Sequence, residues 1–215
     1  MNWRWLLLVT LVLVACGGGG QALPPEQVAQ RAADATQALT AVHFTINVVG
    51  QGSALGLQAA EGDIVPPDKS RARLKTSTLG LISEVGVVTI AEQQWMTNPL
   101  NNQWQAPTAI SFNLAALFDP TVGIPGLLRT ESWRAGAPET GVAVLEGTVD
   151  GAKLNALTGG QITKGSVGVT LRIDSTSFVV NRITLNQTET SPTTPNTWNI
   201  ILTKPNTPVE IKPPV

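Results

Sequence analysis

The stretch Val42-His43-Phe44-Thr45-Ile46-Asn47-Val48 decides the fold of this chain, because its side chains alternate between apolar and polar. Strict alternation is typical of a β-strand with one face in a core and the other in water. Gly50 ends the pattern, as glycine often does after a strand. We therefore predict a strand here, with Phe44, Ile46 and Val48 on its buried face.

A helix is predicted directly before this strand. Pro24 and Pro25 suit the first turn of a helix, where the backbone N–H that proline lacks has no partner in any case. The apolar residues that follow recur at alternating steps of four and three positions and form one stripe: Val28, Ala32, Ala35, Leu39 and Val42. This spacing predicts an amphipathic helix of about four turns that leads into the strand.

Short strands are predicted at regular spacing after the first one. Glycine, proline and asparagine turns separate strand-like segments over residues 57–65, 71–76, 83–90, 93–96, 131–135, 141–149, 166–174, 178–186 and 197–203. Because the early strands follow one another without intervening helices, an antiparallel meander is favoured over a parallel sheet.

Residues 107–129 depart from this pattern. Residues 112–118 predict a short apolar helix that stops near Asp119-Pro120, and residues 124–129 a second one with Pro125 in its first turn. Both helices are too apolar to lie in water, so we expect residues 107–129 to cover a concave apolar surface as a lid. A further small helix fits residues 151–157, and residues 204–215 predict an extended strip over the surface.

Cys16 is the only cysteine of the chain and follows an apolar run that begins at Leu6. One early cation, Arg4, followed by an apolar run too short to span a bilayer, is the layout of a secretory signal peptide. The string Leu13-Val14-Ala15-Cys16 resembles a bacterial lipobox. That resemblance implies cleavage before Cys16 and a diacylglyceryl group on its sulfur. The alternative is an uncleaved apolar N-terminus with a buried free thiol.

These features predict three segments: a signal peptide over residues 1–15, a lipidated flexible tether over residues 16–24, and one domain over residues 25–215. Two acyl chains hold a protein at a membrane surface, since each buried methylene contributes about 0.8 kcal/mol. We therefore expect an exported protein, anchored through Cys16 to the outer face of the bacterial cell membrane.

The composition excludes several classes of partner. Charged residues make up 13% of the chain and the net charge is −1, so no basic surface for nucleic acid is expected. Cys16 has no second cysteine with which to share a zinc site, and we expect neither a metal nor a cofactor. A monomer is expected.

Catalytic residues are scarce. His43 is the only histidine, and no G-x-S-x-G motif accompanies it, so a structural role at the helix-to-strand junction is favoured. Glu61 and Asp63 lie on one face of a predicted strand, where they suit either an acid/base pair or cation site, or a solvated strand end. The sequence thus favours a protein that is not an enzyme.

Tryptophan is unusually frequent, with six residues of this type. Trp95 and Trp104 flank the predicted turn at Asn98-Pro99, where they either dip into a lipid interface or plug one end of the sheet. Trp133 and Trp198 are predicted to be strand residues that cover the core.

The order and spacing of several short strings behind the lipobox resemble the LppX/LprG family of bacterial lipoproteins, whose fold is similar to that of LolA and LolB. The strings are Val42-His43-Phe44, Gly62-Asp63, Asn102-Gln103-Trp104, residues 118–124 (FDPTVGI), residues 145–149 (LEGTV) with Leu154-Asn155, and Thr203-Lys204 with Lys212-Pro213-Pro214.

The resemblance implies an α+β fold: a strongly curved antiparallel β half-barrel with helices packed across its concave face. It also implies an apolar cavity for the acyl chains of a lipid or lipoglycan, with Ala72 and Leu74 facing the ligand and Arg71, Arg73 and Lys75 facing outward. Ala72 and Gly86 are small and are expected to widen the interior. The predicted cavity residues are Phe44, Ile46, Val48, Ala72, Leu74, Val85, Val87, Leu114, Leu117, Ile124, Leu127, Leu128, Leu171 and Ile183.

Two functions are consistent with these features. The first is a membrane-anchored protein that binds acyl chains in the cavity and carries or presents the lipid across the envelope, with an envelope lipid transporter as a partner. The second is a structural or adhesive envelope lipoprotein, in which the same residues are ordinary core and a protein partner binds the polar face. Cavity wall and core share the same side-chain chemistry, so the sequence leaves both open.

Overall fold

The computed structural model describes residues 23–50, 56–78, 81–106, 113–187 and 196–214. The predicted signal peptide, Cys16 and most of the tether lie outside the described residues, as do residues 107–112 at the start of the predicted lid.

Within these described ranges, eleven strands form one antiparallel sheet in the order β6-β5-β4-β3-β2-β1-β11-β10-β9-β8-β7. Among the described residues β6 and β7 are its two edges and do not pair with each other, so the sheet is open. The strands are β1 (Val42–Val49), β2 (Leu57–Val65), β3 (Lys69–Thr78), β4 (Leu81–Ile90), β5 (Gln93–Thr97), β6 (Trp104–Gln105), β7 (Arg134–Ala135), β8 (Val142–Asp150), β9 (Ser166–Asp174), β10 (Val180–Gln187) and β11 (Asn196–Thr203).

Helix α1 (Pro25–Gln37) begins at the predicted proline and ends before the last two residues of the predicted stripe. Leu39 and Val42 are buried, yet they lie beyond the helix end. Val42, the last residue of the predicted helical stripe, instead belongs to β1 and pairs with Ile64 of β2. The prediction extended the helix too far because Val42 fits both the helical period and the strand.

The predicted pair of helices in residues 112–129 is confirmed with small changes. A 3-10 helix, η1 (Leu114–Phe118), is capped by the Asn113 side chain, which accepts a hydrogen bond from the backbone N–H of Ala115 at 3.1 Å. The Asp119 side chain accepts hydrogen bonds from Thr121 and Val122, which ends η1 where the sequence predicts a stop. Helix α2 (Ile124–Thr130) follows.

Other boundaries differ from the predictions. The strand predicted over residues 131–135 is only the two-residue β7, and the helix predicted over residues 151–157 is the 3-10 helix η2 (Gly151–Leu154). Strand β10 begins at Val180 rather than residue 178, because Phe178 has a φ of 58° and ends a tight hairpin turn. Strand β6 was not predicted, since two residues are too few to show an alternation of apolar and polar side chains.

The core lies between one face of the sheet, the inner face, and the helices. The buried side of α1, the residues of η1 and α2, and the inner-face side chains of the strands join in one apolar cluster. Helices α1 and α2 pack on each other, and η1 packs across β2 and β3. Arg129 of α2 donates hydrogen bonds to Asp34 and Gln37 of α1, at 2.9 and 2.7 Å, and joins the two helices at the surface.

Gly62 marks a close approach between two strands. A Cβ atom built on Gly62 would lie 2.0 Å from the backbone oxygen of Arg71 on β3, a distance that no side chain tolerates. Glycine is therefore required where β2 and β3 draw together on the inner face.

Candidate functional site: the two faces of the sheet

A continuous row of apolar side chains crosses the inner face of the sheet. The strand register places one residue from each of eight neighbouring strands in this row, from β8 to β4: Leu145, Leu171, Ile183, Ile200, Ile46, Ala60, Leu74 and Val85. Side chains of directly paired residues lie on the same face, so these residues form one apolar surface. Five of the predicted cavity residues lie in it.

The burial of this row decreases toward β4. Leu145, Ile200 and Ile46 are at most 1% exposed, whereas Leu74 and Val85 are only half-buried. The same gradient runs along the inner-facing residues of β4, from Val87 at 1% exposed to Leu81 at 74%. The inner face is thus closed over β8 to β1 and becomes accessible along β3 and β4.

The structure brings most of the predicted cavity residues together. Ten of them belong to the buried apolar cluster: Phe44, Ile46, Ala72, Leu114, Leu117, Ile124, Leu127, Leu128, Leu171 and Ile183. Val48 and Leu74 are partly buried against that cluster. Val87 is buried and Val85 half-buried on the inner face of β4.

The predicted directions of the β3 side chains are confirmed. Ala72 is 4% exposed on the inner face, and Arg71, Arg73 and Lys75 are exposed on the other face, the outer face.

The interior position predicted for Gly86 is wrong. Gly86 pairs with the outward-facing Arg73, and it lies between Val85 and Val87, which face inward. A Cβ atom built on Gly86 would lie 2.9 Å from the ring of Trp104. Because neighbouring residues of a strand face opposite sides, Gly86 makes room on the outer face and not in the interior.

A second apolar hollow, which no sequence pattern indicated, lies between the first turn of α1 and the β7–β8 hairpin. This pocket has a volume of about 430 Å³, and its walls include Leu23, Val28, Val142 and Phe178. The guanidinium carbon of Arg31 lies 5.2 Å from the centre of the Phe178 ring, a cation–π distance. Local sequence does not predict this hollow, because it depends on how α1 meets a hairpin more than one hundred residues away.

Charged side chains face each other on the outer face of β1, β2 and β3. His43 Nδ1 lies 2.9 Å from Asp63 Oδ1, and Arg71 donates a hydrogen bond of 2.9 Å to the other oxygen of Asp63. His43 Nε2 is 3.4 Å from Glu61. Burial by itself raises the pKa of the Asp63 carboxyl, but the hydrogen bonds and charges of His43 and Arg71 outweigh it and leave that pKa below its usual value. Asp63 is therefore an ionised, partnered carboxylate rather than an acid poised to donate a proton.

The four tryptophans in the described residues occupy different environments. Trp198 on β11 is 1% exposed in the core, as predicted. Trp133 is also buried and covers the core, but it precedes β7 instead of lying in a strand, and its indole N–H donates to the Leu128 carbonyl at 3.3 Å. Trp95 is half-buried beside Val88, and Trp104 is exposed over Gly86. Trp95 and Trp104 thus face the outer side of the β4–β6 edge.

Within the described residues, the helices are all too short or too polar to cross a membrane.

Comparison with known proteins finds solved structures with a similar fold. The chain is similar to LprF from Mycobacterium bovis, with 16% sequence identity over 88% of this chain and 96% of that one and a TM-score of 0.71. It is also similar to the lipoprotein LppX from Mycobacterium tuberculosis, with 19% identity over 87% and 98% of the two chains and a TM-score of 0.60. At these identities the likeness shows a shared fold.

A LolA superfamily protein from Nitrosomonas europaea matches more distantly, with 8% identity over 85% of this chain and 93% of that one and a TM-score of 0.31, which is too low to show a shared fold. A comparison with curated protein sequences gave no match. The family model of the LppX_LprAFG lipoproteins matches residues 24–211, which span the whole sheet and its helices. The chain therefore belongs to the LppX_LprAFG lipoprotein family.

Proposed function

We propose that this protein binds the acyl chains of a lipid or lipoglycan between the inner face of its sheet and the helices, and carries or presents that lipid in the cell envelope. The observation that carries the proposal is the apolar row of the inner face, which is buried at Ile46 and only half-buried where it reaches Leu74 on β3 and Val85 on β4. A monomer without enzymatic activity, metal or cofactor is sufficient for this role.

The exposed part of the inner face suits hydrocarbon better than water. Leu74 and Val85 present aliphatic side chains there, next to the closed core at Ile46 and Val87. Transfer of a hydrocarbon chain from water onto such a surface is favourable by about 0.8 kcal/mol for each buried methylene. An acyl chain that lies along β3 and β4 would extend the existing core rather than create a new one.

An acyl chain that extends from the accessible part of the inner face into the closed part can enter only if one of the helices that cover the inner face moves. Helix η1 is the element that packs across β2 and β3, at the border between the closed and the accessible parts of the inner face. Helix α2 is held to α1 by the hydrogen bonds of Arg129 to Asp34 and Gln37, so α2 is the fixed part of the cover. We place the gate at η1, within the lid predicted over residues 107–129.

The proposed cellular setting depends on the N-terminus. In this proposal residues 1–15 are removed as a signal peptide, and lipidated Cys16 anchors the protein to the outer face of the bacterial cell membrane through the tether 16–24. The single domain 25–215 then exchanges its ligand with the membrane or with an envelope lipid transporter. Membership of a lipoprotein family supports this arrangement.

A structural or adhesive envelope lipoprotein is the second candidate. It is favoured by the packing of the ten predicted cavity residues in one buried cluster, which is also what an ordinary core requires. The two candidates differ in whether hydrocarbon occupies the interior.

The lipid content of the purified protein tests the proposal. The chain from residue 17 onward would be purified without detergent, extracted with organic solvent and analysed by mass spectrometry. We expect stoichiometric lipid from the unmodified protein. Ala72→Trp, which fills the inner face, should lower the lipid content at least tenfold. Ala59→Trp is the matched control, because Ala59 pairs with Asn47 and Lys75 on the outer face, and it should retain the lipid.

The outcome that overturns the proposal is the same lipid content in both variants, or none in the unmodified protein. Should Ala72→Trp fail to fold, Leu74→Gln provides a second variant. Leu74 is only half-buried on the inner face, and this change should also lower the lipid content. Circular dichroism and thermal unfolding check the fold of each variant.

A further inference from the structure

The outer face of the sheet carries a pocket of its own. It has a volume of about 430 Å³ and is lined by His43, Glu61, Arg71, Arg73, Gly86 and Trp104, and also by Gly62 and Ala72. The charged and aromatic side chains of this pocket lie on the side of β1 to β4 opposite to the apolar row, so they are separate from the side chains of the proposed acyl-chain site.

Strand register explains why these side chains meet. One row of paired residues crosses the outer face as His43, Asp63 and Arg71. The next row contains Glu61, Arg73 and Gly86. Residues that are far apart in sequence are thus fixed as cross-strand neighbours, with Cβ atoms about 5 Å apart.

Gly86 has no side chain and therefore leaves room for the Trp104 ring, which forms one wall of the pocket. Trp104 reaches over the empty position, with its ring carbon Cη2 2.9 Å from where a Cβ atom would be. The Gly86 N–H donates a 2.7 Å hydrogen bond to Thr97 Oγ1, which ties β4 to the β5–β6 hairpin that carries Trp104. Trp104 is 37% exposed, so an aromatic surface stands beside the charged rows.

The charges of the pocket nearly cancel. Arg71 is paired with Asp63 at 2.9 Å, and Arg73 Nε lies 4.0 Å from Glu84. Glu61 faces His43 at 3.4 Å. The site therefore offers guanidinium donors and carboxylate acceptors side by side. Two arginines face the three carboxylates of Glu61, Asp63 and Glu84, so no positive charge is left over, which disfavours a phosphate or another anion as the ligand.

A ligand that fits must both donate and accept hydrogen bonds, must be uncharged, and must carry an apolar face for the indole ring. Sugar hydroxyls donate to carboxylates and accept from guanidinium groups, and the C–H face of a pyranose ring packs against tryptophan. We propose that this pocket binds a neutral saccharide, with Trp104 as the stacking surface and Glu61, Arg71 and Arg73 as hydrogen-bonding partners. The inference goes beyond the proposed lipid binding and does not depend on it, because it rests on the other face of the sheet.

Titration of the chain from residue 17 onward with neutral trisaccharides tests the proposal. Maltotriose, cellotriose and mannotriose would be added separately, and binding would be followed by isothermal titration calorimetry and by amide chemical shifts. We expect at least one trisaccharide to bind and to shift amide signals around Gly86 and Arg73. Trp104→Ala should weaken that binding at least tenfold, whereas Trp104→Phe should restore part of it.

Two further variants make the test specific. Gly86→Ala places a methyl group against the Trp104 ring and should weaken binding by displacing it, while Gly168→Ala on β9, where the nearest atom is 3.8 Å away, should have no effect on binding. Arg73→Ala should weaken binding, and the exposed Arg134→Ala on β7 should not.

Three results would overturn the proposal: no trisaccharide binds, Trp104→Ala binds as tightly as the unmodified protein, or inorganic phosphate competes for the pocket more strongly than any sugar. Lipid extracted from Trp104→Ala should equal that of the unmodified protein. Loss of the saccharide with retained lipid thus separates this proposal from the proposed function.

Discussion

The inner and outer faces of strands β1 to β4 are built from the same four segments of chain, yet their chemistry differs. The inner face carries an apolar row that includes Ile46, Ala60 and Leu74. The outer face carries rows of paired charges, among them Asp63 with Arg71. Because neighbouring residues face opposite sides, one strand register fixes both surfaces at once. A β half-barrel can therefore carry two independent sites back to back.

The largest expected difference between the faces concerns stability. Phe44 is fully buried on the inner face, and Phe44→Ala should lower the free energy of unfolding by about 3–5 kcal/mol. Its neighbour Thr45 lies on the outer face, and Thr45→Ala should change stability by less than about 0.5 kcal/mol. Urea denaturation followed by circular dichroism measures both values. Similar losses in the two variants would contradict the assignment of faces.

The next effect concerns the close approach of β2 and β3. Gly62→Ala forces a methyl group against the backbone oxygen of Arg71, so the strands must separate, and we expect a loss of about 2 kcal/mol or more. Gly168→Ala is the matched control, since the added methyl group meets only ordinary contacts there and should be neutral or slightly stabilising. Equal denaturation midpoints for the two variants would show that the strands are not this close.

A smaller effect depends on pH. The pKa of Asp63 is lower in the folded protein than in the unfolded chain, so its ionised form stabilises the fold above about pH 4, and this stabilisation is lost as the pH falls through the folded-state pKa. Asp63→Asn should therefore be less stable than the unmodified protein by about 1 kcal/mol at pH 7. Denaturation curves from about pH 5 to pH 3, where carboxyl groups titrate, should show this difference closing. A difference that grows over this range would contradict the ion pair.

The smallest effect is expected at the rim of the outer-face pocket. Arg73 and Glu84 are both exposed and their charged atoms are 4.0 Å apart. Such a pair contributes little, so Glu84→Ala should change the free energy of unfolding by less than about 0.5 kcal/mol. A loss above about 1 kcal/mol in urea denaturation would mean that the outer face takes part in holding the fold.

The alternation of apolar and polar residues predicted most of the sheet. The alternation around Phe44 and Ile46 located β1, and the predicted bounds of β2 and β9 agree with the structure to the residue. The first helix was located by its prolines, but its end was not, because Val42 satisfies a helical stripe and a strand equally well. At such a position neither residue propensity nor the spacing of apolar residues favours helix over strand. The pairing of Val42 with Ile64 on β2 makes it a strand residue.

The interior role predicted for Gly86 failed for a reason already present in the sequence. Val85 and Val87 were both expected to face inward, and alternation then requires Gly86 to face outward. The outer-face pocket itself was beyond prediction. It needs the register between β2 and β3, the absence of a side chain at Gly86 and the short strand that carries Trp104, none of which a single segment reveals.

Photo-crosslinking with a diazirine-labelled fatty acid tests most directly whether the inner face holds hydrocarbon. The labelled acid would be bound to the chain from residue 17 onward, activated by light, and its attachment sites mapped by peptide mass spectrometry. We predict labels on the inner-facing residues of β3 and β4, such as Ala72, Leu74 and Val85, and on η1. Labels confined to the outer face, at Arg71, Arg73 or Trp104, would contradict the proposed acyl-chain site.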